Sequence, residues 1–85
     1  MMQIEVGGEI DLGDGRRVKL MPMSDARPPN NLECVDAEDR RLWAATGEFS
    51  AAWWDGRDLT AYDTFGFNKT IDLRTGEVVK SVFVK

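Results

Sequence analysis

The sequence predicts an all-β domain of antiparallel hairpins, arranged as a small blade-like sheet, a sandwich or a barrel. Two observations predict it. Apolar residues almost never recur at helical spacing, whereas short runs rich in Val, Ile, Phe, Trp and Thr recur along the chain. Glycine and aspartate break those runs at close intervals, as tight turns between neighbouring strands require.

The expected strands are Gln3–Val6, Arg17–Met21, Leu32–Val35, Leu42–Thr46, Phe49–Trp54, Leu59–Thr64, Lys69–Ile71 and Val78–Val84. Gly7-Gly8 and Asp14-Gly15 punctuate the first two. "PMSDARPPNN" follows as a loop, because Pro28 and Pro29 cannot donate to a sheet ladder. "DAEDRRLWAATG" is the one segment with helical character, Asp36 standing where a cap would, but the apolar runs on either side favour a turn between strands. "AEDR", "WDGR" and "LRTG" then supply the later turns.

With 85 residues the chain makes one small domain, and its 42% hydrophobic content is too high for disorder. The net charge of −4 argues against nucleic acid and against an anionic membrane surface, both of which select clustered Lys and Arg. The pairs Arg16-Arg17 and Arg40-Arg41 stand beside acids and read as solvated turn charges. One cysteine, Cys34, allows no internal disulfide. No signal-like leader and no membrane-length apolar run is visible, so a cytoplasmic protein is expected, and the sequon at Asn68 has no glycosylation role there.

The chain echoes itself. "IDLGDGRRV" (Ile10 to Val18) and "IDLRTGEVV" (Ile71 to Val79) share Ile, Asp, Leu, Gly and the final Val, and "VDAEDRRLW" (Val35 to Trp43) is a looser third copy. Each reads as strand, Asp at the mouth of a tight turn, and returning strand. An aspartate there accepts backbone N–H groups two residues on, which accounts for the three aspartates without a metal.

"ECVDAEDRRLWAATG" and "KTIDLRTGEVVKS" resemble the blade repeat of quinoprotein-type (PQQ-like) β-propellers, over about half the chain from Leu32 onward. Asp36 and Trp43 match that repeat's Asp and Trp in one copy; Asp72, Thr75 and Gly76 match its Asp-Thr-Gly in the other. The first copy lacks Thr-Gly, and the second has no Trp after its turn. The resemblance implies four-stranded, blade-like antiparallel sheets with tight turns. A propeller closes with several blades, and this length holds about two. No cofactor is therefore expected.

Catalytic chemistry has few parts here. There is no histidine, which removes Ser-His-Asp and Cys-His machinery, and one cysteine without histidine makes no zinc pattern. Cys34 sits in the apolar run "NLECV" beside Glu33, a setting for a buried structural thiol rather than an activated one. The acids around Asp11, Asp36 and Asp55 do not follow the twelve-residue calcium loop. "GGEIDLGDG" lacks the spacing and Lys of a phosphate loop. No enzyme is expected.

The segment "FSAAWWDGRDLTAY" carries what remains. Neighbouring strand residues point to opposite faces, so Trp53 and Trp54 need two apolar environments. As a hairpin about "DGRD", one face carries Ala52, Trp54, Leu59 and Ala61; the other carries Phe49, Ala51, Trp53, Thr60 and Tyr62. Either the hairpin is central and covered on both sides, or Phe49, Trp53 and Tyr62 form a contact surface for a protein partner or a second copy. The long apolar strand "EVVKSVFVK" adds an edge that another chain can cover. The expected function is thus a non-catalytic interaction module, self-associating as a homodimer or docking a protein, with an acidic surface suited to a basic target by analogy with inhibitors and immunity proteins. The alternative is a small ligand- or carbohydrate-binding or hydrolytic barrel. It would use Trp53 or Trp54 for stacking and Asp55, Asp58 or Asp63 as polar groups.

Overall fold

The computed structural model describes residues 1–22 and 30–84. The expected loop "PMSDARPPNN" falls largely outside them. Nine strands follow one another without a helix among the described residues: β1 (Met2–Glu5), β2 (Glu9–Asp11), β3 (Arg17–Leu20), β4 (Leu32–Val35), β5 (Arg41–Ala45), β6 (Phe49–Trp54), β7 (Leu59–Asp63), β8 (Phe67–Ile71) and β9 (Val78–Phe83). All eight expected strands are present. The ninth, β2, has only three residues, Glu-Ile-Asp, too short for its alternation to stand out.

The strands form two antiparallel sheets that do not close into a barrel. One is the meander β2-β3-β4-β5; the other runs β6-β7-β8-β9, with β1 added outside β6. β1 thereby ties the start of the chain to its second half, pairing Ile4 with Ala52 and Met2 with Trp54. Gly7 and Gly8 turn the chain from one sheet to the other, where Gly7 N–H donates to Leu20 O at 2.7 Å and Leu20 N–H to Gly8 O at 3.1 Å.

The core lies between the sheets, and strand alternation decides what enters it. In the four-stranded sheet Ile10, Val18, Cys34 and Trp43 stand opposite one another across the strands, and Leu20, Leu32 and Ala45 form the next row. The five-stranded sheet contributes Ile4, Phe49, Ala52, Leu59, Ala61 and Ile71, with Trp54 packed at their margin. The far face of the four-stranded sheet is charged: Arg17 bridges Glu9 and Asp39, and Arg41 faces Glu33.

The hairpin β6–β7 corrects one sequence expectation. Ala52, Trp54, Leu59 and Ala61 share the inner face as expected. Phe49 does not lie with Trp53 and Tyr62. The register shifts between Phe49 and Ala51, which turns Phe49 to the opposite face and buries it to 1% exposure. A bulge adds one residue to one strand, so every side chain before it changes face. β6 and β7 are central in their sheet, yet the four-stranded sheet covers only their inner side.

Phe49 sits where β1 no longer accompanies β6, since β1 ends with Glu5 opposite Ala51. The side chain of Asn31 takes over. Its Oδ1 accepts Phe49 N–H at 2.8 Å, and its Nδ2 donates to Phe49 O at 2.7 Å and Met21 O at 2.9 Å. This fully buried amide replaces a strand's donor and acceptor and fastens the entrance of β4 to the start of β6.

Candidate functional site

Three regions of the surface gather polar or apolar side chains that could meet a ligand or partner: the turn end of the sandwich, the outer face of the five-stranded sheet, and the β9 edge.

At the turn end the internal echo becomes a structural device. The three aspartates cap their turns: Asp11 Oδ1 accepts Gly13 N–H at 2.8 Å, Asp36 Oδ1 accepts Glu38 and Arg40 N–H at 2.9 Å each, and Asp72 Oδ1 accepts Arg74 N–H at 2.8 Å. The copies at Val35–Trp43 and Ile71–Val79 occupy the same place in successive meanders, the β4–β5 and β8–β9 hairpins. All three copies then meet on one atom. Leu73 O accepts the Trp43 indole N–H at 2.8 Å and Arg16 Nη1 at 2.6 Å, and Asp14 holds Arg16 in place through Nε at 2.9 Å and Nη2 at 2.7 Å. The Arg16 hydrogen bonds keep the Asp14 carboxyl below its ordinary range. Beside it lies an open depression of about 600 Å³, bordered by Arg57, Arg74, Asp58 and Asp72.

The outer face of the five-stranded sheet carries Trp53 and Tyr62. Its rows read Gln3, Trp53, Thr60, Thr70, Lys80 and Glu5, Ala51, Tyr62, Asn68, Val82. Trp53 and Tyr62 are half-buried. A depression of about 290 Å³ lies here, lined by Trp53, Thr60 and Asn68, with Asp55, Asp58 and Met1 at its border. Asp55 is held below its ordinary range by the Asp58 and Arg57 amides that its Oδ1 accepts at 2.7 and 2.8 Å. Asn68 Oδ1 is buried without a hydrogen-bond partner.

Asp63 stands elsewhere, on the inner face and 2% exposed, where it accepts Phe65 N–H at 3.0 Å, Phe67 N–H at 2.9 Å and Lys69 Nζ at 3.0 Å. Burial pushes its carboxyl up, and the Phe67 amide, the Lys69 ammonium and the Phe65 amide outweigh that and hold it low. Lys69 also lies 5.8 Å from the centre of the Phe49 ring. Asp63 is therefore a structural acid and does not join Asp55 and Asp58. Trp54 packs against the core from its margin, on the opposite face of the sheet from the Trp53 depression.

Cys34 is fully buried and faces Val18 and Trp43, and burial pushes its thiol up, away from the reactive thiolate. Among the described residues no group of three or more His, Cys, Asp or Glu side chains stands close enough to hold a metal ion. Among the same residues no helix is long and apolar enough to cross a membrane.

The third region is the strand that the sequence offers as a long apolar edge, β9. All six residues of β9 are exposed. Val79 (61%), Val82 (44%) and Phe83 (58%) lie along it, with Val84 and Phe65 beside them, and the Phe83 ring tilts against Phe67 at 5.1 Å between centroids. Comparison with known proteins gives no further guide: no family model matches the chain, and neither a curated protein nor a solved structure matches it significantly.

Proposed function

We propose that this chain is a non-catalytic β interaction module that associates through the β9 edge and the adjoining outer face bearing Trp53 and Tyr62. One observation carries the reading: β9 is an edge strand whose six residues are all exposed and mostly apolar. Edge strands of soluble proteins are ordinarily short, charged or covered. This one carries a single charge, Lys80, between Val78 and Phe83. Val82 lies in the same cross-strand row as Tyr62, so the apolar surface continues from the edge onto the outer face. Phe49 is not part of it.

The same reading treats the aspartates as turn caps and Cys34 as core, which leaves no assembled nucleophile and base. Light scattering across a hundredfold concentration range tests it. A mass that rises from monomer to dimer supports self-association; a constant monomer mass overturns it and directs the search to a different protein, basic in character.

A second reading rests on the depression at Trp53. An indole beside a hydroxyl, an amide and two carboxylates is the composition of a small-ligand subsite, with stacking for the apolar face of a sugar and acceptors for its hydroxyls. A shift in tryptophan emission on titration with a sugar panel, lost in Trp53→Phe, would support it. Silence across the panel removes it.

A further inference from the structure

Resting on the self-association reading, we propose that the occupant of the β9 edge is a second copy of the same strand, paired antiparallel about a two-fold axis at Val82. The ladder with β8 fixes which backbone groups are free. Phe67 stands opposite Phe83, and Asn68 opposite Val82. Val84 N–H donates to Gly66 O at 2.9 Å, which makes Gly66–Val84 a hydrogen-bonded pair. Such pairs alternate along an antiparallel ladder. Val82 and Lys80 therefore bond toward β8, and Ser81 and Phe83 direct N–H and C=O to the open side. A new strand must offer the same parity, and β9 itself does.

Two further features choose the register. The β8–β9 pairing shifts between Thr70 and Ile71, which leaves Val79 as an extra residue and confines regular edge to 80–84. Centring the axis on Val82 uses that whole stretch: Val82 meets Val82, Ser81 meets Phe83, and Lys80 meets Val84. No like charges stand opposite, and each Phe83 ring lies across from a small serine. Taken at ordinary side-chain sizes, the exposed parts of Phe65, Phe83, Val82 and Val84 bring roughly 800 Å² of apolar surface from two copies to that stretch, the range of weak, reversible association. A reversible, concentration-dependent dimer with a continuous ten-stranded sheet follows.

Cysteine cross-linking tests the register. A non-hydrogen-bonded pair holds its Cα atoms about 4.5 Å apart, within the span of a disulfide at about 4.4–6.8 Å. Val82→Cys should form a disulfide dimer under mild oxidation at least tenfold faster than Lys80→Cys, with Cys34 buried in both. Ser81→Pro, which removes an outward N–H and leaves the β8 ladder intact, should raise the dimer Kd at least tenfold without lowering the monomer's Tm by more than a few degrees. A dimer that cross-links equally through positions 80 and 82, or that Ser81→Pro leaves unweakened, overturns the β9 pairing while self-association stands. A monomer at every concentration overturns both.

Discussion

Trp43 lies so close to Gly76 that a Cβ built on that glycine would come within 2.6 Å of indole Cε3 and 2.8 Å of Cδ2. The two residues belong to different copies of the echoed motif, one in each sheet. The contact therefore fastens the returning strand of the Val35–Trp43 copy onto the turn of the Ile71–Val79 copy. Leu73 O, on that turn, fixes the indole through its N–H and takes Arg16 from the first copy as well. A repeated turn thus serves as the clasp between layers.

Gly76→Ala should cost about 2–5 kcal/mol, because a side chain is disfavoured at its φ of +79° and Trp43 must also move. Gly56→Ala is the control: its φ is +93°, but nothing lies within 4 Å of the added carbon. Urea unfolding of both variants separates the terms. Equal losses would show that the indole contact contributes nothing beyond backbone strain.

Asn31→Ala should lose about 2–5 kcal/mol by the same measurement, since it leaves the buried Phe49 N–H and Phe49 O, and the part-buried Met21 O, without their partner. Asn30→Ala, which removes one weaker bond to Gly47 N–H at 3.2 Å, should lose less than half as much.

Most of the strands were legible because alternation and Asp-Gly turns are local signals. The inner face Ala52, Trp54, Leu59, Ala61 followed from parity alone. Phe49 was misplaced because a bulge carries no residue signature here: "FSAA" reads as an unbroken strand, and only the buried Asn31 amide that satisfies the Phe49 backbone reveals the extra residue. Asn31 itself looked like the end of a loop. The pairing of Trp43 with Gly76 was present in the echo, yet which copy meets which depends on the packing of two sheets. The openness of β9 depends on a neighbouring strand being absent, which no local pattern records.

Acid should weaken the fold partly through Asp63. Its carboxyl is held below the ordinary unfolded value of about 3.9, so its contribution is complete above that value and is lost as pH falls through the lower folded one. Lys69→Met removes the ammonium that opposes burial, raises the Asp63 pKa and should move the acid-unfolding midpoint to higher pH. Asp63→Asn should shallow the pH dependence of stability between about pH 5 and 2, leaving the slope that Asp14, Asp36 and Asp55, also held low, still supply. An unchanged slope would place the acid sensitivity in those turn caps alone.

Trp53→Ala and Trp54→Ala should part company. Trp54 faces the core beside Leu59 and opposite Met2, so truncation should leave a cavity and cost about 3–5 kcal/mol, read as a lower Tm. Trp53 points to the other face, half-buried among Gln3, Thr60 and the depression that it lines, and its loss should cost about 1–2 kcal/mol because no second layer closes over it. Emission offers a second readout: both indoles are part-exposed, but Trp53 lines the outer depression, so Trp53→Phe should remove more of the fraction reached by a soluble quencher than Trp54→Phe does. If Trp53→Ala unfolds the domain, the outer face is part of the core of a larger assembly, and the dimer must cover it as well as the β9 edge. If it leaves Tm nearly unchanged but weakens association tenfold or more, the apolar surface running from Val82 through Tyr62 to Trp53 is one continuous interface.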